Sequence, residues 1–229
     1  MDFMKLLKSL EELLYELVSW LVFYPLTMWR TVVRPLRMMH YADTELADKP
    51  EDQYEDTLSP PLFLLITLLL SQGFSSLLPS VFDPTIAVKQ LGSGSNLLMA
   101  RGVIFGIYPL CMAVTLLRWK AIRITRDSLR PPFFSQCYVT APFALLLVLG
   151  IDLLSTPAGS GSAAGLILLI IALVWYAQAQ IRWFVIDLKI GSGAAILAFV
   201  VALLVATVIA IVVAIAISLD TKSIASAAE

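Results

Sequence analysis

Two cysteines, one histidine and a charged fraction of 14% leave this 229-residue chain short of the side chains from which most catalytic and metal centres are built. Cys111 falls in the middle of one apolar run and Cys137 at the start of the next, at depths that disfavour a disulfide and indicate no redox compartment. His40, followed by Asp43 and Glu45, is one nitrogen donor where a metal site needs three or four converging ligands. Walker, HExxH and GxSxG patterns are all missing, and Gly92-Ser93-Gly94-Ser95 has the composition of a flexible linker rather than a phosphate cradle. A net charge of -1 lacks the basic footprint of a nucleic-acid-binding protein. Residues 1–20 carry Glu11, Glu12 and Glu16, have no continuous apolar core and show no small-residue cleavage pattern, so they do not read as a cleavable signal peptide. The expectation is a non-enzymatic protein with no cofactor and no nucleic-acid partner.

What the chain has in excess is apolar surface. Hydrophobic residues make up 59% and mean hydropathy is +0.86, against about 45–50% apolar in ordinary soluble domains. The excess lies in long runs, as bilayer solvation requires. Five runs are long enough to predict spans, at residues 62–78, 102–117, 137–154, 163–181 and 194–219. The first opens with Ser59-Pro60-Pro61, a cap followed by prolines tolerated in the first turn. Residues 79–96 and 155–162 are rich in Pro, Gly and Ser and read as loops, while Trp175, Tyr176 and Trp183 read as an aromatic belt at the end of the fourth span. The fold class is an all-α membrane protein. A bundle of about five transmembrane helices over 60–219 is preceded by one or two interfacial amphipathic helices in 1–40 and an acidic linker over 41–59, and followed by a short polar tail over 220–229.

The N-terminal helices rest on periodicity. Lys5, Lys8, Glu12, Glu16 and Ser19 recur every three or four residues, with Leu6, Leu10, Leu13, Leu14, Leu17 and Leu21 on the opposite side. That is the pattern of a helix lying in the interface; the alternative is a sixth span over 13–28, interrupted by Glu16 and Pro25. After Pro25, Arg30, Arg34 and Arg37 line one side of a second short stretch that Pro35 should end or bend. Residues 41–57 hold seven acidic residues against Lys49 and read as a solvated segment.

Positive charge then orients the bundle. With the N-terminus inside, the cytoplasmic segments collect every Lys and Arg except Lys89, Arg101 and Lys222. The positive-inside rule predicts a cytoplasmic N-terminus and, for five spans, an external C-terminus.

Three sets of residues carry the functional expectations. Ala194, Ala198, Ala202, Ala206, Ala210 and Ala214 recur every fourth residue, and Gly102–Gly106 and Gly161–Gly165 repeat the spacing; such small-residue ridges let helices approach closely, within the bundle or in a homo- or hetero-oligomer. Ser71, Gln72, Ser75, Asp152, Gln178 and Arg182 are candidate lining for a polar cavity, because polar groups at membrane depth face the bundle, water or a partner. Arg30, Arg34, Arg37, Arg123, Arg126 and Arg130 are candidate contacts to lipid headgroups, the last three on a surface-lying helix. The acidic segment and the basic run 118–130 fall on one side of the membrane and could pair with each other or with a partner.

Tyr24-Pro25, Arg34-Pro35 and the stretch Asp56-Thr57-Leu58-Ser59-Pro60-Pro61-Leu62-Phe63 entering a leucine-rich span resemble bacterial five-span proteins labelled permeases, similar in layout to the Yip domain family. The resemblance covers most of the chain as topology, while its motifs are short. It implies a cytoplasmic N-terminal segment, five spans, a very short far-side tail, a bacterial inner-membrane location and binding of membrane partners or lipid. It transfers no catalytic residue. A small permease or lipid-handling protein is the alternative function, although no internal repeat of the transporter kind is evident.

Overall fold

The computed structural model describes residues 2–49, 53–77, 94–155 and 159–227, with side chains undescribed at 2, 3, 6, 76, 94–100, 159–161 and 218–227. The expected loop residues 78–93 and turn residues 156–158 lie outside that description, as does the side chain of Gly161. The described residues form α1 (Asp2–Val33), α2 (Pro35–Glu45), α3 (Pro60–Leu77), α4 (Gly94–Trp119), α5 (Arg126–Leu154), α6 (Gly159–Leu188) and α7 (Ser192–Ala227). This is an all-α membrane architecture.

Four of the helices are long and apolar enough to cross a membrane, over Arg101–Trp119, Arg126–Leu154, Ser162–Leu188 and Ser192–Ile217. Large aliphatic side chains on α6 and α7 point outward, among them Ile167 at 56% and Leu197 at 64% exposure, a surface tolerable only in lipid. The expected first span, α3, is an apolar helix of 18 residues, about 27 Å against a hydrocarbon core of about 30 Å.

At the centre stands α5, which touches α2, α3, α4 and α6. Its residues Ser135 to Ala144 are buried on every side, the mark of a helix surrounded by others. Two aromatic ladders lock it in place. Phe63 bridges Tyr24 and Tyr138, while Tyr108, Phe143, Tyr176 and Phe199 join α4, α5, α6 and α7, with Phe143 and Tyr176 stacked at 4.3 Å. Tyr176 and Trp183 are therefore core side chains, not members of an interfacial belt. Trp175 is half-buried and donates its indole N–H to Val32 O at 3.2 Å, joining α6 to α1.

Several expected boundaries move. The N-terminal helix runs through Pro25 without a break, and it ends at Arg34, before Pro35 as expected. A residue before proline is pushed out of the α region, and Arg34 sits at φ -136°, ψ 62°. The basic run does not form a surface helix through Arg123, Arg126 and Arg130. Thr125 and Ser128 make a reciprocal capping box, so the long helix starts at Arg126 and Arg123 remains in the preceding connection. At the far end α7 continues to Ala227, taking in most of the expected polar tail.

The acidic segment is also more ordered than a solvated linker. Its first part is the end of α2. Glu45 Oε2 then accepts the backbone N–H of Tyr54 at 2.6 Å, holding that residue at φ 61°. Leu58 N–H donates to Thr27 Oγ1 at 3.2 Å, and Tyr138 donates its phenol O–H to Leu58 O at 2.8 Å. These bonds anchor the entry to α3 against both α1 and α5.

Candidate functional site

The polar residues expected to line one cavity separate into two groups. Near one end of the bundle, Ser75 on α3 donates to Asp152 on α5, and Ser71 donates to Leu68 O at 2.8 Å. Gln72 Oε1 is buried there without a hydrogen-bond partner among the described residues, and Arg101 at the start of the α4 span brings a positive charge to bear on Asp152. Gln178 and Arg182 lie elsewhere. Gln180 donates its amide to Gln136 on α5, and Asp152 follows Gln136 by sixteen residues, about 24 Å of helix. The two groups thus belong to different levels of the bundle, and only Gln178 and Arg182 of the six line a described groove together.

Gln136 was invisible as a membrane-depth residue because the apolar run on α5 begins only after it. The helix starts ten residues earlier, at Arg126, and carries Gln136 into the core at 0% exposure opposite Gln180, also at 0%. Among the described residues, one donor and one acceptor of this pair, Gln136 Nε2 and Gln180 Oε1, have no hydrogen-bond partner.

The other end gathers the basic residues. Arg30 pairs with Asp56 at 2.7 Å, and Tyr41 donates to the second oxygen of the same carboxylate at 2.6 Å. Partial burial works against ionisation of Asp56, but the hydrogen bonds from Tyr41 and Arg30 outweigh it and hold the carboxyl below its usual range. Arg34 and Arg37 stand beside this pair and line two adjoining grooves. The first, about 440 Å³, adds Arg30, Met38, Tyr41, Asp56 and Thr57. The second, about 300 Å³, lies against α6 and adds Gln178, Arg182 and the apolar side chains of Val33, Leu36 and Trp175. Arg182, expected in a polar cavity, thus joins two of the arginines expected to meet lipid.

Arg123, Arg126 and Arg130 are exposed and lie outside both grooves, with Arg130 over the Phe134 ring at 5.3 Å. The acidic segment and the basic run do not exchange salt bridges among the described residues: Asp56 takes Arg30, and Lys120 takes Asp187 at 2.7 Å. Beside the second pair, Asp43 has a buried Oδ1 with no hydrogen-bond partner among the described residues. Burial and the nearby Asp187 charge push its carboxyl up to about 6, against the opposing pull of Lys120 and His40. The folded chain therefore takes up this proton near pH 6, while the unfolded chain does so near 3.8. Stability from this group is gained as pH falls from 6 towards 4 and lost as pH rises through 6. Asp43→Asn should raise the melting midpoint at pH 8 and flatten its slope between pH 6 and 4, read by thermal denaturation across that range.

The small-residue ridges differ in outcome. Ala198, Ala202, Ala206 and Ala210 are buried, with Ala194 and Ala214 partly so, on a helix that packs against α4 and α6. A Cβ on Gly165 would meet Gly150 O and Leu154 N of α5, both at 2.7 Å, so α5 and α6 cross there backbone to backbone. Gly102 and Gly106 show no such crossing among the described residues, since a Cβ on either meets none of their atoms within 4 Å. Cys111 and Cys137 are both free, and no group of three or more His, Cys, Asp or Glu that could hold a metal occurs among the described residues. No protein-family model, curated protein or solved structure matches the chain.

Proposed function

We propose that this chain is a non-enzymatic scaffold or accessory subunit of a bacterial inner membrane, binding membrane partners or lipid, with its basic end in the cytoplasm. The observation that carries this reading is α1. From Met4 to Val18 every described side chain is exposed, including Leu10, Leu13, Leu14 and Leu17 at about half their area or more. An apolar helix surface of that length, uncovered by the other described residues, is suited to a membrane surface or another helix. The charge asymmetry supports the orientation: Arg30, Arg34, Arg37, Lys120, Arg123, Arg126, Arg130, Arg182 and Lys189 belong to one end of the bundle, and Arg101 to the other. A Yip-like layout has the same N-terminal segment and the same polarity. The permease alternative draws on Ser75, Asp152 and Arg101, three polar groups gathered near the opposite end.

The test is purification in native-like lipid followed by mass spectrometry of whatever remains bound, for the natural chain and for Leu10→Glu/Leu14→Glu. Stoichiometric recovery of another membrane protein, lost in the variant while the bundle keeps its melting midpoint, supports the scaffold reading. Recovery alone with one small solute would favour transport.

A further inference from the structure

The groove between the α1–α2 junction and α6 has the chemistry of one particular kind of molecule. Its lining includes Arg34, Arg37 and Arg182 and contains no carboxylate, whereas the adjoining groove contains Asp56. Arg30, the nearby fourth guanidinium, already has its counter-ion in Asp56. Three exposed arginines, two at the α1–α2 junction and one on α6, thus face one space that no carboxylate lines among the described residues. Guanidinium groups hold phosphate oxygens in pairs, which makes such a cluster a phosphate seat rather than a general cationic patch.

The walls determine what else the phosphate is attached to. Along α6, Ile171, Trp175, Gln178 and Arg182 succeed one another at steps of four, three and four, which places them on one helix face. Read in that order, the face passes from an exposed aliphatic side chain, through an amphipathic indole and an amide, to a cation. A phospholipid has the same gradient, from acyl chain through glycerol ester to phosphate. Val33 and Leu36 form the facing apolar wall, and Trp29 and Val32 extend exposed apolar surface along α1. The Trp175–Val32 hydrogen bond fixes the two walls against each other. A volume near 300 Å³ is at the lower end for small-ligand sites, enough for a headgroup but not for the chains, which would run outside along the exposed side chains.

We propose that this groove seats one anionic phospholipid, its phosphate held by Arg34, Arg37 and Arg182 and its chains lying along Trp175 and Ile171. The proposal rests on the lipid-binding part of the function proposed above, and it makes the α1–α2 kink a headgroup clasp.

The full chain, in mixed micelles, is titrated with phosphatidylglycerol, with phosphatidylcholine and with inorganic phosphate alone. Bound lipid is counted by native mass spectrometry, and contact at Trp175 is read as fluorescence quenching by phosphatidylglycerol carrying brominated chains, with Trp175→Phe as reference. Arg37→Gln/Arg182→Gln should weaken phosphatidylglycerol binding by roughly tenfold or more. Lys49→Gln/Lys189→Gln removes the same charge at exposed positions outside the groove and should change binding by less than about twofold. Equal losses in the two variants would mean diffuse attraction and overturn the proposal. So would phosphatidylcholine binding as tightly as phosphatidylglycerol, or inorganic phosphate competing on equal terms. A chain that binds phosphatidylglycerol in the groove but recovers no protein partner would sink the partner-binding part of the function alone. Partner recovery with no groove-dependent lipid would sink this proposal alone.

Discussion

Gly165→Ala should destabilise the bundle by about 3 kcal/mol, and Gly165→Leu should prevent α5 and α6 from docking at all. The size follows from what a new Cβ meets. At Gly165 it would sit 2.7 Å from Gly150 O and from Leu154 N, and backbone atoms of a packed helix cannot step aside as a side chain can. At Gly150 the nearest atoms are Leu169 Cδ2 and Cγ at 2.8 Å, part of a side chain that can rotate, so Gly150→Ala should cost less. Gly102→Ala and Gly106→Ala meet nothing within 4 Å and should be neutral. Unfolding in mixed micelles by a denaturing detergent, followed by helicity, ranks the variants. A Gly106→Ala loss as large as that of Gly165→Ala would refute the assigned crossing. In lipid, helix association depends on such close contacts, because burial of apolar surface between helices brings no advantage over burial in lipid.

Replacing one member of the buried glutamine pair should be worse than replacing both. Gln180→Leu leaves the Gln136 amide in the core with no side-chain partner, a cost of about 1–2 kcal/mol. Gln136→Leu/Gln180→Leu removes both amides, including the unpartnered Gln136 Nε2 and Gln180 Oε1, and replaces them with apolar groups of similar volume. The double variant should therefore recover most of the loss, and the coupling is measured as a double-mutant cycle on the same unfolding transition. Additive losses would show that the amides do not act as a unit. Neutral single variants would show that solvent enters this part of the core.

Much of the architecture was legible before any tertiary structure. Four of the five apolar runs fall on helices long enough to cross a membrane, Pro35 located the break near the end of the N-terminal helix, and the four-residue alanine spacing a continuous face of α7 whose central members are buried. These are properties of a single helix in its solvent. A bilayer demands a long apolar segment, a pyrrolidine ring restricts its neighbour, and a period near 3.6 lines up residues four apart. Helix ends were less legible, since α5 begins with polar residues whose capping box, not their hydropathy, starts the helix.

Contacts between helices were not legible for a different reason. Gly102–Gly106 and Gly161–Gly165 have identical spacing, yet Gly165 faces backbone while Gly102 and Gly106 face open space, because only the placement of the neighbouring helix distinguishes them. Asp152 and Gln178 both looked like lining for one cavity, and the antiparallel run of α5 and α6 sets their groups far apart along the bundle. The reverse holds for Arg182, which is separated from Arg34 and Arg37 by most of the chain and shares their groove. Sequence determined by itself that this chain is an all-α membrane protein, and which helices are amphipathic or apolar, since each of those depends on one segment and its solvent. Which arginines stand without an acid, which glycines touch and which polar atoms are buried were decided only by tertiary structure, because each depends on the relative placement of helices that sequence periodicity does not encode.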